Sequence, residues 1–289
     1  MPKLTSDSTR HFGKVFDQVA PEYDRSRPGY QEQLIDRACQ IAQLENGDRV
    51  LEIGCGTGQL TQSLVARGLQ VTAVEPGKQL LALAAQKVRG SGTIEFINAR
   101  FEDAQLPNNH YKAVFCASAF HWINPDLSWA MSANCLIPGG VIALIQYFGL
   151  KEPQTSIDLE AQLNVLEKVA PAIAADWPQY YELDEIIDGI EKRRGNISEA
   201  WAWLGNYDIG RSYVSNLFYD LQIAAIPVLI EQTSDELIAL FRTTSPYSRL
   251  TNEQQRVLES GFSQLYSGLG RPMRSSTVNV LITARKTGR

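Results

Sequence analysis

An α/β fold, a largely parallel sheet with helices on both faces, is what this 289-residue sequence predicts, and three observations carry that prediction. The first is V-L-E-I-G-C-G-T-G at 50–58, an apolar run that breaks into a glycine turn and continues as a helical pattern over 59–67. The second is another apolar run at 70–75, ending in Glu75 and followed by Pro76 and Gly77. The third is the recurrence of such runs at 94–99, 112–117 and 141–145. Near-continuous apolar runs, rather than alternating ones, are how strands covered on both faces read.

The turn at 54–58 decides the ligand. Strand, glycine turn and helix together form the place where an α/β sheet receives a nucleotide-like ligand, because a Cβ would hold the backbone away from it. The dinucleotide pattern G-x-G-x-x-G would put its third glycine at position 59, which is Gln59; here it comes one residue early, at Gly58. An acid, Glu52, also stands two residues before the first glycine. E-x-G-x-G-x-G resembles the first motif of the class I S-adenosylmethionine (SAM)-dependent methyltransferases. That resemblance implies a Rossmann-like seven-stranded sheet and makes Glu52, Gly54, Cys55, Gly56 and Gly58 candidate cofactor-binding residues.

The following elements fit in order. Glu75, at the tip of the second strand, can accept hydrogen bonds from both ribose hydroxyls of an adenosine, with Pro76 beside it. After the third strand, the resemblance gives Phe101 an adenine face and Glu102 the exocyclic amine, with Asp103 a weaker candidate. The fourth strand opens into Ser118, Ala119, Phe120, His121 and Trp122, a segment similar to the methyltransferase type 11 group and its trans-aconitate methyltransferase-like relatives. Donor and acceptor should meet there, since ligands sit at the carboxyl ends of such strands. Pro138-Gly139-Gly140 before the fifth strand is another habit of that family. F-D-x-V-A-x-x-Y-D at 16–24 and R-P-x-Y at 27–30 resemble its leading lid, with Tyr23 walling the methyl-transfer pocket and Arg27 gripping the SAM carboxylate through its planar fork. Phe12, Phe16 and Val19 follow a helical stripe and read as packing residues.

Four segments result: a lid at 1–30, a SAM-binding core at 31–150, a helical cap inserted at 151–220, and a return to the sheet at 221–289. Leu159, Leu163, Leu166, Val169 and Ala170 have helical spacing that Pro171 ends. The aromatics from Trp177 to Tyr219 suggest a cap closing over the acceptor, or its own small core. Pro227 marks an edge strand over 221–230, and cap-like openings start helices near Ser234 and Thr251. The run 277–285 resembles the family's last strand, inserted antiparallel between the fifth and sixth. Thr243 to Tyr247 resembles an S-x-Y turn near the acceptor, making Tyr247 a candidate substrate contact beside Tyr23, His121 and Trp122.

Composition narrows the class. The net charge of −5 gives no footprint for nucleic acid, and no apolar run approaches the ~18 residues of a spanning helix. Lys192, Arg193 and Arg194 read as a solvated helix end beside Glu191. The beginning, Met1 to Ser6, lacks the apolar stretch of a signal peptide, and four widely spaced cysteines suggest a cytoplasmic protein, monomer or dimer. His11, His110 and His121 have no metal-ligand spacing, so no metal is expected. The expected activity is methyl transfer from SAM to a small molecule, with O-methylation of an organic acid or hydroxyl favoured and N- or C-methylation of a specialised metabolite the alternative. His121, with an ordinary pKa near 6.5, is the candidate base, or a residue that binds the acceptor. An NAD-dependent oxidoreductase and a non-catalytic SAM-binding protein are the readings from other classes.

Overall fold

A computed structural model describes residues 15–91, 93–175 and 180–288. His11, Phe12 and Trp177 lie outside them. Two short helices, α1 (Val15–Gln18) and α2 (Ala20–Ser26), precede α3 (Glu32–Ala42). Then strands and helices alternate: β1 (Arg49–Ile53), α4 (Gln59–Ala66), β2 (Gln70–Val74), α5 (Lys78–Lys87), β3 (Ile94–Ile97), β4 (Tyr111–Ala117), α6 (Pro125–Cys135) and β5 (Leu136–Gly149). Two 3-10 turns, Phe101–Asp103 and Phe120–Trp122, follow β3 and β4. Helices α7 (Ser156–Val169), α8 (Pro171–Ala175), α9 (Leu183–Glu191) and α10 (Ile197–Gly205) lead to β6 (Phe218–Gln232). Helices α11 (Ser234–Arg242), α12 (Ser245–Ser248) and α13 (Asn252–Leu269) lead to β7 (Met273–Lys286).

The strands form one sheet in the order β3-β2-β1-β4-β5-β7-β6. Pairs among β1–β5 are parallel, while β7 runs antiparallel to both β5 and β6. Both faces are covered, and the two-residue strand period sorts the side chains between them. Leu51, Ile53, Val114, Cys116, Ile142 and Leu144 join one core with Trp129, Ile186, Ile190 and Trp201. Val50, Val71, Ala73, Ala113, Phe115 and Val141 join the other with Leu34, Ile35, Leu60 and Leu64. Pro227 lies on β6 at the sheet edge, where its missing N–H costs no ladder bond. Thr233 and Thr251 each close a capping box, starting α11 and α13.

The helical region between β5 and β6 divides, which corrects the single cap expected over 151–220. Helices α9 and α10 lie on a sheet face, with Trp201 fully buried. Helices α7 and α8 instead pack with α11 and α13 through Leu166, Ala170, Leu237, Phe241, Leu258 and Phe262. The cap is therefore built from both sides of β6. Of its aromatics, Trp201 and Phe218 are core, and Tyr213 and Tyr219 face solvent.

Candidate active site

Beyond the ends of β1–β5 lies one cavity of about 790 Å3. Its floor begins at the glycine turn, where the Gly54 N–H donates to the Val74 carbonyl at 2.8 Å. Gly54, Gly56 and Gly58 have φ of +71°, +55° and +84°, the left-handed region that favours glycine. Their surroundings differ. A Cβ on Gly54 would stand 2.4 Å from Ala119 Cβ, and one on Gly58 2.8 Å from Ala84 Cα on α5. A Cβ on Gly56 would meet nothing within 4 Å. Gly56 thus leaves room for a ligand, whereas Gly58 serves the close approach of α4 to α5 and does not line the cavity.

Glu52 and Cys55 also fall short of the cavity wall, a second correction. Glu52 is fully buried beneath the turn and accepts the Thr61 hydroxyl at 2.6 Å. Burial pushes its carboxyl up to about 7, so between its ordinary value of 4.5 and 7 the folded chain holds a proton that the unfolded chain releases. Its contribution to stability therefore falls as pH rises through that window. Glu52→Gln keeps an acceptor for Thr61 and cannot ionise. Thermal unfolding should show the variant more stable than the parent at pH 8, the gap closing towards pH 4.5.

The nucleoside end is built from the tips of β2 and β3. Glu75 is 7% exposed, and its two carboxylate oxygens accept the N–H groups of Gly56 at 3.0 Å and Gly77 at 2.8 Å. Burial outweighs both bonds and raises its pKa. Pro76 and the buried Phe101 ring line the wall beside it. Glu102 reaches the wall too, with one oxygen held by the Asn124 N–H at 2.9 Å and by Arg100 at 2.7 Å. Against the upward push of burial, those donors hold its carboxyl below the ordinary range. Asp103 turns outward, its side chain 66% exposed.

The lid forms the roof. Phe16 packs edge-on against Tyr23 and Trp122, with ring centres 5.7 and 5.6 Å apart. Asp17 accepts the N–H groups of Gln79 and Leu80 at 2.7 and 3.2 Å, capping α5 from a segment some sixty residues earlier. Arg27 reaches the cavity over the Tyr23 ring, but its fork is turned to Thr243, giving Nε to the hydroxyl at 3.1 Å and Nη2 to the carbonyl at 2.7 Å. Instead of standing open for a ligand carboxylate, it fastens the lid to the end of α11. Thr244, Ser245 and Pro246 complete the roof. Tyr247 does not: its hydroxyl donates to Glu259 at 2.5 Å, and its ring packs against the α11–α13 cluster.

The far end lies past β4 and β5 and is lined by Ser118, Ala119, His121, Trp122, Gln146 and Tyr147. Ser118 takes φ +55°, a strained conformation for a residue with a Cβ, at the bend into the 3-10 turn. His121 lies flat on Tyr207, ring centres 4.4 Å apart and planes within 7°. Burial pushes its imidazole down to about 3. It is therefore neutral across physiological pH and a far weaker base than an ordinary histidine. The unfolded chain takes up the proton near 6.5, so this group's contribution to stability is lost as pH falls from 6.5 towards 3. Histidine NMR should show the His121 ring signals unmoved from pH 8 to pH 5; a midpoint near 6.5 would contradict the burial.

Of the predicted residues, the fold gathers Tyr23, Arg27, Gly54, Gly56, Glu75, Pro76, Phe101, Glu102, Ser118, Ala119, His121 and Trp122 around this cavity. Asp17, Gln146 and Tyr147 were not anticipated as lining it, and the turn expected near the acceptor lines it through 244–246. Gln146 had a signal: it is the first polar residue after the apolar run of the fifth strand, where a ligand would be read.

A family model described as a methyltransferase domain matches residues 51–144. An uncharacterized methyltransferase of Mycobacterium tuberculosis is 37% identical over 142 residues, which cover 48% of this chain and 54% of that one. The chain thus spans about half the length of that relative. Among solved structures, a candidate type II methyltransferase from Anaeromyxobacter dehalogenans aligns with a TM-score of 0.57 at 20% identity, over 90% of this chain and 97% of its own. The [4+2]-cyclase SpnF aligns at 0.52 and 14% identity, over 96% of each chain. Such distant likenesses bear on the fold alone. With the sheet order, the glycine turn and the matched region together, residues 51–144 are similar to a methyltransferase domain, and the sheet around them has the fold of the solved methyltransferase.

Proposed function

We propose that this protein methylates a neutral hydroxyl on a small-molecule acceptor. The observation that carries this reading is the single cavity, with adenosine-type groups (Glu75, Phe101) at one end and uncharged polar and aromatic groups (His121, Gln146, Trp122, Tyr147) at the other. The cations of the wall offer little to a carboxylate acceptor: Arg27 is turned to Thr243, Arg100 to Glu102, and Lys78 stands at the start of α5. This favours the hydroxyl over the organic acid.

The open space around Gly56 and the carboxylate of Glu75 suit the ribose of SAM, with Phe101 against the adenine. SAM, when bound, supplies a methyl group on a cationic sulfur, with a neutral leaving group. The chain's own part is to hold the acceptor in line, an effect that can contribute roughly 7–11 kcal/mol, and to keep water out. Phe16, Tyr23 and Trp122 supply apolar cover. His121, held neutral, binds the acceptor rather than drawing its proton, which leaves to solvent.

Incubation with SAM and a panel of phenols, carboxylic acids and amines tests the proposal, with S-adenosylhomocysteine read by mass spectrometry. Turnover on phenols and not on carboxylic acids is expected. Binding of SAM without turnover on any class would instead support a non-catalytic role.

A further inference from the structure

The far end of the cavity holds three buried polar atoms that, among the described residues, have no hydrogen-bond partner: Ser118 Oγ and, from two side chains that meet a common neighbour, His121 Nδ1 and Gln146 Oε1. Both side chains are tied to one residue. The Gln146 amide donates to the Tyr207 hydroxyl at 2.5 Å, and the His121 ring lies on the Tyr207 ring. Tyr207 follows α10, where Asn206 in the left-handed conformation turns the chain back and the Tyr207 N–H donates to Ala202. The three side chains thus come from β5, the turn after β4 and the crossover to β6.

Burying a hydrogen-bonding atom without a partner costs about 1–3 kcal/mol, so a pair at one end of a ligand cavity is a ligand's complement. One N–H of the Gln146 amide is given to Tyr207, and its carbonyl oxygen, which can only accept, has no partner. A carboxylate has no proton to give it, and an ether has none either. A hydroxyl does. We infer that Gln146 Oε1 reads the proton of the acceptor's hydroxyl, that Tyr207 positions Gln146 and His121 for this, and that methylation, by removing that proton, weakens the product's hold on the site. This rests on the proposed methyl transfer and names the acceptor as a neutral hydroxyl compound, with an aromatic ring suited to the walls at Trp122 and Tyr147.

The test uses one ring with three groups, 2-naphthol, 2-methoxynaphthalene and 2-naphthoate, titrated calorimetrically into the full chain saturated with S-adenosylhomocysteine. Binding of S-adenosylhomocysteine is measured first, and its failure would remove the methyltransferase reading itself. Given that binding, naphthol should bind at least tenfold more tightly than methoxynaphthalene, and naphthoate most weakly. Gln146→Leu should bring the naphthol-to-methoxynaphthalene ratio close to one with S-adenosylhomocysteine affinity unchanged. Tyr207→Phe keeps the ring against His121 and removes only the hydroxyl, so it should lower the same ratio without changing cofactor affinity, which a purely structural role would not do. A wild-type ratio near one, a tenfold ratio surviving in Gln146→Leu, an unchanged ratio in Tyr207→Phe, preference for naphthoate, or binding of none of the three would overturn the inference while leaving SAM binding intact.

Discussion

Glu75→Ala is expected to weaken SAM binding by about a hundredfold or more. The carboxylate already accepts the Gly56 and Gly77 N–H groups, which fixes it at the cavity wall with lone pairs left for a ribose. Hydrogen bonds to a charged group contribute about 1.5–3 kcal/mol each, and losing two of them corresponds to roughly two orders of magnitude or more in affinity. The glycine turn also loses the anchor that joins it to the tip of β2. Glu75→Gln, which retains one acceptor, should fall between the parent and the alanine variant. Asp103→Ala, altering a side chain turned to solvent, should leave affinity unchanged. Calorimetric titration with SAM reads all three, and alanine binding within threefold of the parent would remove Glu75 from the site.

The donor half of the cavity was legible in sequence because a parallel sheet puts its ligand residues at strand ends, and strand ends are visible where apolar runs stop. Glu75 was read from that rule, Ser118 and His121 from the rule together with the family resemblance, and Phe101 from the resemblance. Glu52 was misplaced for a physical reason: it lies within the strand, where side chains go to the faces, and its carboxyl is sealed under α4 by Thr61. Tyr247 was misplaced for another, which also left open whether the aromatics of 177–219 roof the acceptor or form a core. A stretch of sequence does not say which helix will cover it, and here α7 and α8 pair with α11 and α13 across β6, while Trp201 sinks into the sheet face. Arg27 was found in the right place with a different partner, because Thr243 lies 216 residues away and no local pattern joins them.

The three glycines of the turn should separate folding from binding when each is replaced. At Gly58, alanine meets two penalties: a left-handed φ, costing about 1–2 kcal/mol, and a Cβ at 2.8 Å from Ala84 Cα, where overpacking adds about 1–3 kcal/mol. The sum, about 2–5 kcal/mol, is a large share of the 5–15 kcal/mol that holds most domains together. Thermal unfolding should drop by several degrees at least, roughly 2–4 °C for each kcal/mol. At Gly56 the φ penalty remains but the added Cβ would meet nothing within 4 Å, so the loss of stability should be the smaller. Its methyl group would instead stand in the cavity beside Glu75, and SAM affinity should fall further than in the Gly58 variant at a temperature where both are folded. Gly54→Ala combines the two faults, since its Cβ would strike Ala119, which lines the same cavity. Equal unfolding temperatures for the Gly56 and Gly58 variants would mean that α5 can retreat from the turn, and the close approach of α4 to α5 would then not be what requires the third glycine.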